Sequence, residues 1–226
     1  LFFVISVPLG VADGGGLYKN MERLGLIYAE EPSNAHFASE FKVNIYGEKQ
    51  APENTHEALI QSLIKGEVFG VKKVALTYGV LLLLALLLLV TGGESKKYVW
   101  TNFVLAVFLV FMFADFGYTL FFNTLYKDSL TYVLLLLCWG LLLFIHRCKE
   151  PYWWLVILES VIIVAFSFIG TVEAVLAIVF GILIIRLTNK SKNIINKYVS
   201  LICGIAVILS SVLFAYNYKD VNYEKN

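Results

Sequence analysis

Long apolar segments constrain the fold of this chain more than any other feature of its sequence. Residues 74–91 and 130–145 contain no charged side chain. A helix needs roughly 20 predominantly apolar residues to cross a hydrocarbon core about 30 Å thick. The chain is 59% hydrophobic and 15% charged, whereas soluble domains are about 45–50% apolar and about 25% charged. These segments therefore predict membrane-spanning helices.

We predict an all-α polytopic membrane protein with a six-helix transmembrane bundle in residues 71–217. Tyrosine and tryptophan residues stand near the ends of the segments, where amphipathic rings favour the membrane interface. The loops between the segments are short, which predicts antiparallel neighbouring helices. The predicted spans are 73–91, 99–122, 130–146, 153–169, 171–187 and 198–217.

The junction at Gly170 leaves three interpretations open. Two spans of about seventeen residues meet there with almost no loop, which favours a tight hairpin. Both segments are short enough to be re-entrant instead. A single kinked and tilted helix over 153–187 is the other possibility, and it would move the C-terminus to the cytoplasmic side.

Residues 1–12 are apolar but too short to span a membrane. We expect them to form the end of a truncated N-terminal transmembrane helix, with the remnant of a signal-like segment as the alternative.

Residues 13–70 are polar and carry nine acids and five bases, which indicates a soluble segment. We predict that it is a small α+β domain outside the cytoplasm. Apolar residues recur at helical spacing over 17–28, and residues 41–46 alternate as in a strand. Asn54 and Glu57 form the pattern of a capping box, which predicts a helix that starts at this point.

The distribution of Lys and Arg predicts the orientation in the membrane. The positive-inside rule assigns the more basic loops to the cytoplasm. Eight basic residues lie on one predicted side and five on the other. The small domain and the tail, residues 218–226, are then both extracytoplasmic, and we expect an integral protein of the plasma (inner) membrane. The eight are Lys96, Lys97, Arg147, Lys149, Arg186, Lys190, Lys192 and Lys197.

Three carboxylic acids fall inside predicted spans: Asp115, Glu159 and Glu173. Ionisable groups in hydrocarbon are costly, so each is a candidate ion-path residue. Glu173 also fits a structural role, because an acid in the first helical turn stabilises a helix N-terminus. Asp115 and Glu159 fit a structural role if a neighbouring helix donates hydrogen bonds to them, and either of them can be protonated.

Other classes of function find little support in the sequence. No metalloprotease, nucleophile-elbow, phosphate-loop or paired-cysteine motif is present, so we predict no catalytic residues, no metal site and no cofactor. We expect His36 and His56 to be surface residues of the polar domain. The net charge of +1 argues against nucleic-acid binding.

These features predict a non-catalytic subunit or accessory protein of a membrane complex. A domain of about 58 residues buries too little surface to be comfortably stable alone, so we expect support from the bundle, a protein partner or a homo-oligomer, besides the lipid bilayer. The alternative is a proton- or cation-linked channel or transporter that uses the intramembrane carboxylates. A membrane enzyme acting on lipid is a third possibility, without a motif to support it.

Overall fold

The computed structural model describes residues 24–28, 40–44, 51–93, 99–113, 122, 125 and 127–217. The chain divides into two compact units. The N-terminal unit contains Leu1–Val80 and Asp115–Leu130, and the helical unit contains Leu81–Ala114 and Thr131–Asn226.

The N-terminal unit contains a small antiparallel sheet of three strands in the order β1-β2-β3. On the central strand, Phe41 pairs with Tyr28 on one side and with Phe69 on the other. Phe41 and Phe69 are both buried, and a buried aromatic pair on adjacent strands favours this register of β2 against β3. The strands are β1 (Leu26–Tyr28), β2 (Glu40–Val43) and β3 (Val68–Gly70).

The helix predicted over 17–28 is wrong at its C-terminal end. Residues 26–28 form β1 rather than a helical turn, and Gly25 has a φ of 70°, in the left-handed region that glycine tolerates and a continuing right-handed helix excludes. Leu17 and Met21, the first members of the pattern, lie outside the described residues. The sequence also did not predict β3, which has only three residues.

Helix α1 (Thr55–Leu63) begins at the predicted capping box. The Asn54 Oδ1 atom accepts from the Glu57 backbone N–H at 2.8 Å, and the Glu57 Oε2 atom accepts from the Glu53 backbone N–H at 2.9 Å. Asn54 thus satisfies one of the backbone donors that a helix start leaves free, and Glu57 binds the backbone just before the cap.

Six longer, apolar helices follow in the described part of the chain. Four segments are long and apolar enough to cross a membrane: Lys72–Gly92, Lys127–Arg147, Thr171–Asn189 and Ile194–Asn217. Helices α3 and α5 have 15 residues each, so the number of spans stays a prediction. The helices are α2 (Lys72–Gly93), α3 (Val99–Phe113), α4 (Lys127–Arg147), α5 (Trp153–Ser167), α6 (Thr171–Arg186) and α7 (Ile194–Asn217).

The junction at Gly170 separates two helices. Gly170 is fully extended, with φ of −173° and ψ of 177°, and α6 begins directly after it. Helices α5 and α6 pack against each other and against α7. The chain therefore does not continue as one kinked helix over 153–187.

Helix α7 buries small and polar residues and exposes large apolar ones. Ser200, Gly204 and Ser211 are buried, while Ile202 and Leu213 are each at least 60% exposed. This is the reverse of a water-soluble amphipathic helix. It is the arrangement expected where small residues allow close helix contacts and apolar residues face lipid.

Candidate functional site

Glu159 lies on the buried face of α5 in the helical unit. This face also presents Leu155, Val156 and Ile163, whereas Leu158 and Val161 on the other side of the helix are exposed. The helical period therefore turns the carboxylate into the protein. Ionisable residues of membrane helices face the bundle interior in this way.

The carboxylate of Glu159 has no hydrogen-bond partner among the described residues. Its side chain has an exposed fraction of 0%, and neither Oε1 nor Oε2 has a donor within bonding distance. Cys138 of α4 is also fully buried, and a charge on Glu159 would act on its thiol. A buried polar group of this kind is uncommon and indicates either a functional group or a missing partner.

Aromatic rings from three helices contact one another in the helical unit. The ring of Phe180 on α6 contacts Trp139 of α4 with centroids 5.1 Å apart, and Phe166 of α5 with centroids 6.4 Å apart. Both contacts are edge-to-face, a favourable arrangement for aromatic pairs. Three helices thus share one aromatic cluster.

Glu173 lies in the first turn of α6 and is buried. Its Oε1 atom accepts a hydrogen bond of 2.8 Å from the hydroxyl of Thr131 on α4. This supports a structural role for Glu173, because the acid stabilises the start of α6 and links α6 to α4. Asp115, the third acid in a predicted span, lies outside the described residues.

The backbones of α6 and α7 approach each other at two glycines. A Cβ atom on Gly204 would lie 2.7 Å from the carbonyl oxygen of Gly181 and 2.5 Å from Cγ1 of Ile185. Gly140 of α4 makes a similar approach to α2, since its Cβ atom would lie 2.9 Å from the Ala85 carbonyl oxygen. Glycine permits this close packing in membrane bundles.

Arg147 joins the C-terminal ends of two helices in the helical unit. From the last turn of α4, its Nη1 atom donates to the carbonyl oxygen of Thr91 near the end of α2, at 3.1 Å. A cation at a helix C-terminus interacts favourably with the helix dipole. Arg147 is one of the basic residues on which the predicted orientation rests.

His56 of the N-terminal unit is buried, with an exposed fraction of 5%. The prediction that it is a surface residue was therefore wrong. It lies four residues before the buried Ile60, and this i,i+4 spacing places both on one helix face. Burial, with the positive charge of Lys127 as a second cause, lowers the pKa of His56 from 6.5 to about 4.

The family of the chain follows from a comparison with known families. Residues 1–226 match the model described as the YfdI N-terminal transmembrane domain. The chain belongs to the YfdI N-terminal transmembrane domain family. No match was found among curated proteins or among solved structures.

Membership in this family agrees with the helices described above. Four apolar segments of membrane length and the inverted burial pattern of α7 are properties of a bilayer-spanning chain. The protein is thus an integral, multi-pass membrane protein.

The structure adds residues that sequence reasoning missed. The sequence did not indicate that three residues belong to the buried polar part of the helical unit. They are Thr131, Cys138 and Ser200. The hydroxyl of Ser200 on α7 is buried and has no partner among the described residues. The signal in the sequence was that Ser200 shares a helix face with the small residues Gly204 and Ser211. In the described ranges, no three His, Cys, Asp or Glu side chains converge as a metal site.

Proposed function

We propose that this chain is a non-catalytic membrane domain that packs beside another membrane protein, or beside a second copy, as a subunit or accessory component. Residues 13–70 would provide an interaction module outside the cytoplasm. The family description, an N-terminal transmembrane domain, is compatible with a domain that anchors or assembles rather than reacts.

The observation that carries this proposal is the exposed apolar surface of α3. Trp100, Phe103 and Phe111 have exposed fractions of 79%, 58% and 79%. Val104 and Val107 are also more than half exposed. Aromatic residues are enriched at protein–protein interfaces. A helix with so much exposed apolar surface is the best candidate for a partner contact.

A photo-crosslinking experiment in native membranes tests this proposal. A photoreactive amino acid at Phe111 should crosslink to protein, whereas the same group at Ile202 of α7, which is 65% exposed, should crosslink to lipid. Equal lipid-only adducts at both positions, together with a lone monomer after mild detergent extraction, would contradict the proposal.

The proposed orientation places residues 13–70 outside and the connection between α4 and α5 in the cytoplasm. It is supported by Arg147 and Lys149 at the end of α4. In a chain without native cysteines, Lys42→Cys should react with a membrane-impermeant maleimide in intact cells. Lys149→Cys should react only after permeabilisation. The opposite result would invert the orientation.

The alternative of a transport route lined by Asp115 and Glu159 gains less support. A conduction path needs groups that water or an ion can reach, whereas Glu159 has no exposed surface and Glu173 is bonded to Thr131. Flux into liposomes that is lost in Glu159→Gln would favour transport over the subunit proposal.

A further inference from the structure

Glu159 differs from the other buried acids of the described chain. Glu57 caps α1 through backbone and side-chain hydrogen bonds, and Glu173 accepts from Thr131. Glu159 is more deeply buried than either, with 0% exposed against 7% for each of the others, and both of its oxygens lack a donor among the described residues. An ionised carboxylate without a partner is strongly disfavoured in an apolar interior.

The cations on the helices around Glu159 stand near helix ends. On α4, Cys138 is buried, whereas Lys127 and Asp128 stand in the first turn, Tyr132 in the second, and His146 and Arg147 in the last. On α6 the titratable groups are Glu173 in the first turn and Arg186 in the last, which is exposed. On α7, Lys197, Tyr198 and Tyr216 are exposed and Cys203 is half-buried. A buried ion pair is therefore not available to Glu159 from these elements.

The hydroxyl groups on the same helix face are already used. Ser160 donates to the carbonyl oxygen of Val156 at 2.7 Å, and Ser167 donates to that of Val164 at 2.8 Å. A bound metal cation would need several oxygen ligands, and the described surroundings of Glu159 do not supply such a set. A proton needs only the carboxylate itself.

We propose that Glu159 is a proton-binding site inside the membrane domain, in which the packing of α5 against α6 and α7 holds the side chain as a neutral carboxylic acid. The ligand is a single proton on one carboxyl oxygen. Because both oxygens are inaccessible, the proton is gained or lost only when α5 separates from its neighbours. This inference does not depend on the proposed partner.

Infrared spectroscopy of the purified full chain in liposomes tests the protonation state. The wild type should show a carboxylic-acid C=O absorption at neutral pH. Glu159→Gln should lose it, whereas the matched variant Glu173→Gln should retain it. After transfer to D₂O, this band should shift slowly, because exchange requires opening of the helices.

Labelling with a hydrophobic carbodiimide gives an independent readout, since this reagent reacts with protonated carboxyl groups in apolar surroundings. Peptide mapping by mass spectrometry should find the adduct on Glu159, and the adduct should be absent from Glu159→Gln. The proposal is overturned if the wild type carries no adduct at Glu159 and its acid band equals that of Glu159→Gln. It is also overturned if sodium ions abolish labelling at constant pH, because Glu159 would then be a cation site. If Glu159→Gln does not fold, the adduct map of the wild type decides the question alone.

Discussion

Acidification should destabilise the N-terminal unit, because His56 is buried there as a neutral imidazole. Its pKa is 6.5 in an unfolded chain and about 4 in the folded protein, first because of burial and second because of Lys127. Between these values the unfolded chain binds the proton and the folded unit does not. The free energy of unfolding therefore has its full value above pH 6.5 and decreases as the pH drops towards about 4.

The size of this effect follows from the difference between the two pKa values, which is about 2.5. At about 1.4 kcal/mol per pH unit, the loss is about 3 kcal/mol. Such a loss is a large part of the stability of a small unit. In the variant His56→Phe, which keeps a ring but cannot titrate, this pH-dependent component should disappear.

Hydrogen exchange measured by mass spectrometry on the full chain reports the opening of α1 directly. Protection of the amides between Thr55 and Ile64, corrected for intrinsic exchange, should fall with pH in the wild type and stay nearly constant in His56→Phe. Replacing Lys127 by Met should reduce the loss, because one cause of the lowered pKa is removed. Equal pH profiles for the wild type and His56→Phe would refute this reasoning.

Three further substitutions test the packing and the hydrogen bonds. Gly204→Ala should lower the free energy of unfolding by about 1–3 kcal/mol, because its Cβ atom would meet backbone and side-chain atoms of α6. Gly79→Ala is the control, since its Cβ atom would have nothing within 4 Å. Thermal unfolding in detergent measures both. Thr131→Val should cost about 1 kcal/mol by removing the bond to Glu173, seen in the same assay as a lower midpoint. Asn54→Ala should lower the stability of α1 by about 1 kcal/mol, because it removes the N-cap. Hydrogen exchange of the first amides of α1 should become faster. An unchanged exchange rate would contradict the role of the cap.

The sequence predicted those elements that local patterns determine. The apolar run over 74–91 lies within α2, and the residue types at Asn54 and Glu57 located the start of α1. Both depend on interactions between residues at most a few positions apart, which a single sequence displays directly. The helical spacing over 17–28 failed because the positive φ of Gly25 and pairing with β2 outweigh that spacing.

The surroundings of the candidate site could not be predicted, because they depend on contacts between distant segments. Glu159 was recognisable as an intramembrane acid, but Cys138, its neighbour on α4, was not. Thr131 and Glu173 are 42 positions apart in the chain, so their hydrogen bond follows from helix packing alone. The burial of His56 was recoverable from its spacing to Ile60, although the polarity of the surrounding sequence concealed it.

The glycine contact between α6 and α7 has a consequence for motion within the helical unit. Backbone atoms meet at Gly181 and Gly204, and the side chains of Ile185 and Ile208 lie directly over this point. Sliding one helix along the other would drive these side chains into backbone. Packed interfaces of this kind switch between discrete arrangements rather than deform continuously. We therefore expect α6 and α7 to move as one rigid body, so that any opening of the helical unit occurs along the sides of α5.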